Sequence, residues 1–189
     1  PPEVEPRVAK LTNLPPVGPG APGIPPESLR FRASPPEVGT NQEVFGRSDV
    51  RRACIPGAQG IMNARSQARF YAMLANLGEL DGIRLLSEDR VRTFNIPRPP
   101  CDYDPVHGVP HHGTIGGLHF AGSPGMGAMG NNPRAFGHNG AGGSLGWADP
   151  GNRLAVAVQH NRMVPHGPPE ESPLTPIGTA VREALGIPH

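Results

Sequence analysis

Residues 136–150 read FGHNGAGGSLGWADP, and LAVAVQHNRM follows at 154–163. Between them, Asp149-Pro150-Gly151-Asn152 is a strong turn sequence. Proline presets one backbone angle, glycine takes conformations closed to other residues, and Asp and Asn hydrogen-bond their own backbone. The turn joins two segments of strand length, GSLGWAD (143–149) and RLAVAVQHN (153–161). In the second, Leu154, Val156 and Val158 alternate with Ala155, Ala157 and Gln159, so large apolar side chains take one face and small ones the other. Small residues on that second face imply a strand with helices packed on both sides. IGGLHFA (115–121) and RAFGH (134–138) are short enough for two further strands.

Upstream, the period changes to that of a helix. In NARSQARFYAMLANL (63–77), Phe70, Met73, Leu74 and Leu77 follow the spacing of one buried stripe. Asn63 suits the N-cap and Gly78 the stop. After an Asp81-Gly82 turn, Ser87 can cap a second helix, with Glu88 and Asp89 complementing its dipole. A third helix is signalled by Thr175 as cap, Pro176 at its first position, and Ile177, Val181, Ala184 and Leu185 on one face, ended by Gly186 and Pro188. Helices, then antiparallel strands, then a terminal helix give an α+β fold, an antiparallel sheet flanked by helices.

The first 50 residues differ. The chain holds 26 glycines and 26 prolines in 189 residues, and the prolines crowd between Pro1 and Pro36. Each removes a backbone donor and disfavours helix in the residue before it. Residues 1–50 are therefore expected to be a Pro/Gly-rich irregular segment, with the domain proper at 51–189. Met62 is the first methionine, so an upstream segment is expected in the translated protein.

A net charge of +1 gives no electrostatic case for nucleic acid or an anionic membrane surface. No apolar run approaches the ~20 residues that span a bilayer. Cys54 and Cys101 lack C-x-x-C spacing, so neither a zinc site nor a disulfide framework is signalled. Gly125 to Gly130 matches G-x-G-x-x-G, but that fingerprint needs a helix directly after it to hold a pyrophosphate, and Asn131-Asn132-Pro133 follows. It reads as a flexible glycine loop. His107, His111, His112 and His119 cluster loosely among Pro105 and Pro110, with no carboxylate at ligand spacing, and read as solvated. No cofactor or metal is expected.

G-x-S-x-G at 142–146, with Asp149 and His160 following, matches the order of an α/β-hydrolase triad. A nucleophile elbow lies between a strand and a helix. Here Ser144 leads into strand and turn, and reads as a small polar residue in a hairpin. An α/β-hydrolase using Ser144 stays a distant third reading.

The segment from Ile55-Pro56-Gly57-Ala58-Gln59-Gly60 through residues 63–91, together with 136–150 and 154–163, resembles the serine β-lactamase-related family. That family contains class C β-lactamases, penicillin-binding proteins and esterases. The second block looks like its third signature, Lys-Thr-Gly in β-lactamases and often His-x-Gly in esterase-like members. The resemblance implies that His138 takes the signature's first place, near substrate and proton relay, that Asn139 and Gly140 complete it, and that Ala141 supplies a backbone N–H to the developing oxyanion. It implies a small-molecule ester or amide substrate, attacked by a serine in S-x-x-K whose lysine eases removal of the serine proton. The one lysine is Lys10, and Arg7 stands three residues before it. The Tyr-x-Asn signature fails as well, since Met73 follows Tyr71 at that spacing and Pro105 follows Tyr103. The expectation is thus the C-terminal part of a β-lactamase/transpeptidase-like fold, with N-terminal strands and nucleophile lobe missing and no activity by itself. A non-catalytic binding or scaffolding module is the alternative.

Overall fold

The computed structural model describes residues 2–13, 25–33, 35, 41–58, 60–99, 102–106, 108–163 and 174–188. Closely spaced prolines and glycines leave only short elements early in the chain: a 3-10 segment Pro2–Arg7, β1 (Thr12–Asn13), α1 (Leu29–Ala33), α2 (Gln42–Phe45) and α3 (Ser48–Arg52). The first of these is tied to the third helix by a Glu5–Arg51 ion pair at 2.6 Å.

Helix α4 (Ala64–Ala75) starts as its cap predicts, with the Asn63 side chain accepting from the Ser66 N–H. β2 (Glu79–Leu80) and β3 (Ile83–Arg84) form a hairpin across Asp81 and Gly82, both at positive φ. This is the mirror-image turn that Asp-Gly favours. Helix α5 (Glu88–Phe94) is capped by Ser87, again as expected.

The central sheet has four strands in the order β4 (His119–Phe120), β5 (Phe136–Asn139), β6 (Leu145–Asp149) and β7 (Leu154–Val158), all antiparallel. The 115–121 segment contributes only its His119–Phe120 pair as strand. β8 (Arg162–Met163) pairs in parallel with β1, and the Asn161 side chain donates to the Lys10 carbonyl, so the start of the chain lies beside the end of the sheet. Helix α6 (Leu174–Leu185) completes the described chain.

Alternation along β6 and β7 divides the core in two. Leu145, Trp147, Val156 and Val158 join Met126, Met129 and Leu174 on one face. Ala148 and Ala155 join Tyr71, Met73, Leu74, Val91 and Phe136 on the other. Each large side chain buried fully is worth ~1.5–3 kcal/mol. The strand packed on both sides, inferred from its small residues, is therefore present.

The helix faces differ from expectation. Phe70 is 48 % exposed, and Tyr71 is buried in its place. Gly146 explains the choice: a methyl there would lie 2.3 Å from Tyr71 Cε2, so the absent side chain is the slot the tyrosine ring fills. In α6, Ile177, Ala184 and Leu185 are exposed, and Leu174, Gly178 and Arg182 face inward. There, a methyl on Gly178 would lie 2.1 Å from the Ala128 carbonyl oxygen. Thr175 and Pro176 stand inside the helix, which begins at Leu174.

Candidate functional site

Strand β5 ends at Asn139, and a tight turn returns the chain to β6. Gly143 donates its N–H to the Gly140 carbonyl at 2.9 Å, and Gly140 donates to the Ser144 carbonyl at 2.7 Å. Gly143 takes φ +94, which a side chain would resist. Ala141 is thus the first central residue of a four-residue turn. Its N–H closes no ladder bond, and among the described residues nothing accepts from it. Ala141 and Gly140 are exposed, and Asn139 is half-buried. The turn leaves a backbone donor without an acceptor at an exposed residue, and such a donor is the kind of group that can stabilise developing negative charge.

His138 is exposed beside this turn, although Phe136 and Gly137 before it are buried. Its Nδ1 lies 2.6 Å from the Asn139 carbonyl oxygen. A carbonyl only accepts, so in the neutral ring Nδ1 carries the hydrogen and Nε2 keeps the lone pair. The arrangement suits general acid–base work by Nε2. The His119 ring lies 4.9 Å from that of His138, and the His111 ring 5.0 Å beyond His119. From the helix side, Tyr71 fills the slot opposite, since Gly146 is the cross-strand partner of His138. Burial pushes the Tyr71 phenol up to about 12, and a backbone hydrogen bond at His138 pulls the other way.

The sequence profile of the beta-lactamase family matches residues 2–175. This chain belongs to the beta-lactamase family. Among its relatives, "Esterase/beta-lactamase LipL" of Mycobacterium tuberculosis is 39% identical over 126 residues, 67% of this chain and 28% of that protein. Among solved structures, EstA from Arthrobacter nitroguajacolicus Rue61a matches with a TM-score of 0.78 and 28% identity, over 98% of this chain and 48% of its own. A family VIII carboxylesterase matches with a TM-score of 0.64 and 30% identity, over 75% of this chain and 38% of its own. A penicillin-binding protein homologue from Caulobacter crescentus gives 0.69 and 28%, over 86% and 41%. The chain therefore spans less than half the length of each of these beta-lactamase-like proteins. The resemblance to β-lactamases, penicillin-binding proteins and esterases, and the α+β fold it implies, both hold.

Within this beta-lactamase family chain, His138, Asn139, Gly140 and Ala141 come together at one end of the sheet, as their contiguity requires. Ser144 sits ahead of β6, half-buried, with its hydroxyl accepting from the His160 N–H at 3.4 Å. It forms no strand-to-helix elbow. His160 lies at the same sheet end as the motif turn, because Val158 pairs with Leu145. The G-x-G-x-x-G loop is packed rather than flexible: Gly127–Met129 is a 3-10 turn, with Met126, Ala128 and Met129 buried. His111 and His119 are half-buried ring partners and not solvated, whereas His112 is exposed. Among the described residues no group of three or more His, Cys, Asp or Glu could hold a metal ion, and none forms a helix long and apolar enough to cross a membrane. Cys54 is an exposed free thiol; Cys101 and His107 lie outside the described residues.

Tyr71 and His119 as neighbours of His138, and His111 as the neighbour of His119, were missed in the sequence. Tyr71 left one signal, a glycine at 146 in a strand otherwise made of larger residues. His111 and His119 left only their closeness to each other.

Proposed function

We propose that this chain is the C-terminal part of a serine hydrolase that cleaves esters or amides by acyl transfer, with the nucleophilic serine on a segment upstream of residue 1. Residues 51–189 carry the site-bearing portion in this reading, and residues 1–50 lead into it. The observation that carries the proposal is the β5–β6 hairpin. It carries an exposed imidazole whose Nδ1 contacts the Asn139 carbonyl and, three residues on, an exposed Ala141 N–H without an acceptor among the described residues, on a chain whose relatives include proteins named as esterases. His138 exchanges a proton with the reacting group, and Ala141 donates to the oxyanion, a contribution typically of ~3–4 kcal/mol. Asn139 and Gly140 hold the two in register. In an active polypeptide that contains this chain, His138→Ala should lower kcat/KM on a short-chain ester by about 10²-fold, mostly in kcat, since the group acts on proton movement. Unchanged kinetics in a folded variant would remove the role.

A second reading, a non-catalytic binding module, is favoured by one feature: Lys10 is the single lysine, so no S-x-x-K exists within these residues. Presence or absence of a labelled serine upstream separates the two.

A further inference from the structure

Three imidazoles from separate parts of the chain stand in a row at the motif. His138 is on β5 and His119 on β4, with ring centroids 4.9 Å apart and planes at 55°. His111, in the connection before β4, meets His119 at 5.0 Å and 66°. Both separations fall within the ~4.5–7 Å range of favourable aromatic pairs. Backbone pairing fixes the order: His119 is opposite Gly137, which presents no side chain, and a bridge joins Gly113 to His119. A methyl on Gly113 would lie 2.7 Å from His111 Nε2, so the His111 ring rests on that glycine. The same Nε2 is enclosed without a hydrogen-bond partner among the described residues, so packing and not polar pairing seats this end of the ring.

The exposed end of the row is unusual in a different way. In water a neutral histidine side chain prefers its hydrogen on Nε2. At His138 the 2.6 Å approach of Nδ1 to the Asn139 carbonyl, which can only accept, favours the reverse. That bond turns the ring back toward its own backbone, and an exposed ring is otherwise free to rotate away.

We propose that His119 is a positioning residue for His138: backed by His111, its ring holds the His138 imidazole against the Asn139 carbonyl, so that Nε2 is the basic nitrogen of the site. This deepens the acyl-transfer reading and rests on it only for the use to which Nε2 is put. The other titratable group at this position, the Tyr71 phenol, stays neutral well into the alkaline range and leaves the ring undisturbed.

The test is a long-range proton–nitrogen correlation on the 189-residue chain with nitrogen-15 histidine, at a pH where the imidazoles are neutral. Wild type should give His138 a protonated Nδ1 and an unprotonated Nε2. His119→Ala should shift the majority to the Nε2–H form, His111→Ala should do so partially, and His119→Phe, which keeps a ring, should retain the wild-type pattern. Trp147 emission reports whether each variant is folded; should His119→Ala fail there, His111→Ala decides in its place. A wild-type His138 already in the Nε2–H form, or an unchanged tautomer in a folded His119→Ala or, failing that, His111→Ala, would overturn the proposal, as would loss of the pattern in His119→Phe. No substrate or nucleophile enters the measurement. Its failure would leave the hydrolase reading standing, and a failed hydrolase assay would leave the tautomer result untouched.

Discussion

Tyr71 links the core to the site through a single side chain. Its ring is buried against Gly146, and burial holds its phenol neutral up to about 12, against an ordinary value near 10.0. The sign of the consequence follows from proton counting. Below about pH 10 the phenol is protonated in both folded and unfolded chains and stability is insensitive to it. Between pH 10 and 12 the unfolded chain releases a proton that the folded chain keeps, so stability falls with rising pH, by about 1.4 kcal/mol per pH unit at most. Urea titrations at about pH 9 and about pH 11 should therefore show a loss in wild type that is smaller in Tyr71→Phe. Equal losses would mean that the phenol is not buried as described. Legibility at this scale divides by sequence distance. His138, Asn139, Gly140 and Ala141 are contiguous, so one motif reveals all four. His119 and His111 reach His138 only through strand pairing and a rested ring, and no local pattern encodes those contacts.

Helix α6 is held by an ion pair as well as by apolar contact. Arg182 is 1 % and Asp149 0 % exposed, with 3.2 Å between Nη2 and Oδ2. Arg182 also donates to the Met129 and Pro188 carbonyls, while Asn132 and Asn152 donate to Asp149. One carboxylate thus ties the β6–β7 turn, the loop before β5 and the terminal helix. Breaking such a pair by removing one partner typically costs ~3–5 kcal/mol, because the other charge stays buried and unpaired. Asp149→Ala should lose stability of that order in urea unfolding followed by Trp147 fluorescence, and adding Arg182→Met should cost less than the two single losses combined. A loss below ~1 kcal/mol would place the pair among ordinary surface bridges. Asp149 was legible in the sequence as a turn residue, which it is, since it accepts from the Asn152 N–H at 3.3 Å. Its pairing with Arg182 was not, because that residue lies 33 positions away. The same limit explains the helices. Their starts at Asn63 and Ser87 follow from local capping, whereas their buried faces are chosen by distant backbone: the Gly146 slot takes Tyr71, and Gly178 closes on Ala128.

At the scale of the whole molecule, family membership and hairpin geometry point the same way. The described chain carries an exposed imidazole at His138 and an exposed, unpaired N–H at Ala141, and its sequence holds no S-x-x-K motif. Its beta-lactamase-like relatives are more than twice as long as the portion it matches. In the proposed reading the two halves of an acyl-transfer site are divided along the polypeptide, with the charge-stabilising half here and the nucleophile upstream. Serine-directed labelling examines that division without needing the natural substrate. The 189-residue chain, and a longer polypeptide that carries its upstream segment, would each be treated with a fluorophosphonate and digested for mass spectrometry. No adduct is expected on the 189-residue chain, and in the longer polypeptide one adduct is expected, on an upstream serine three residues before a lysine. An adduct on Ser144, or a longer polypeptide that takes no label, would contradict the proposed division.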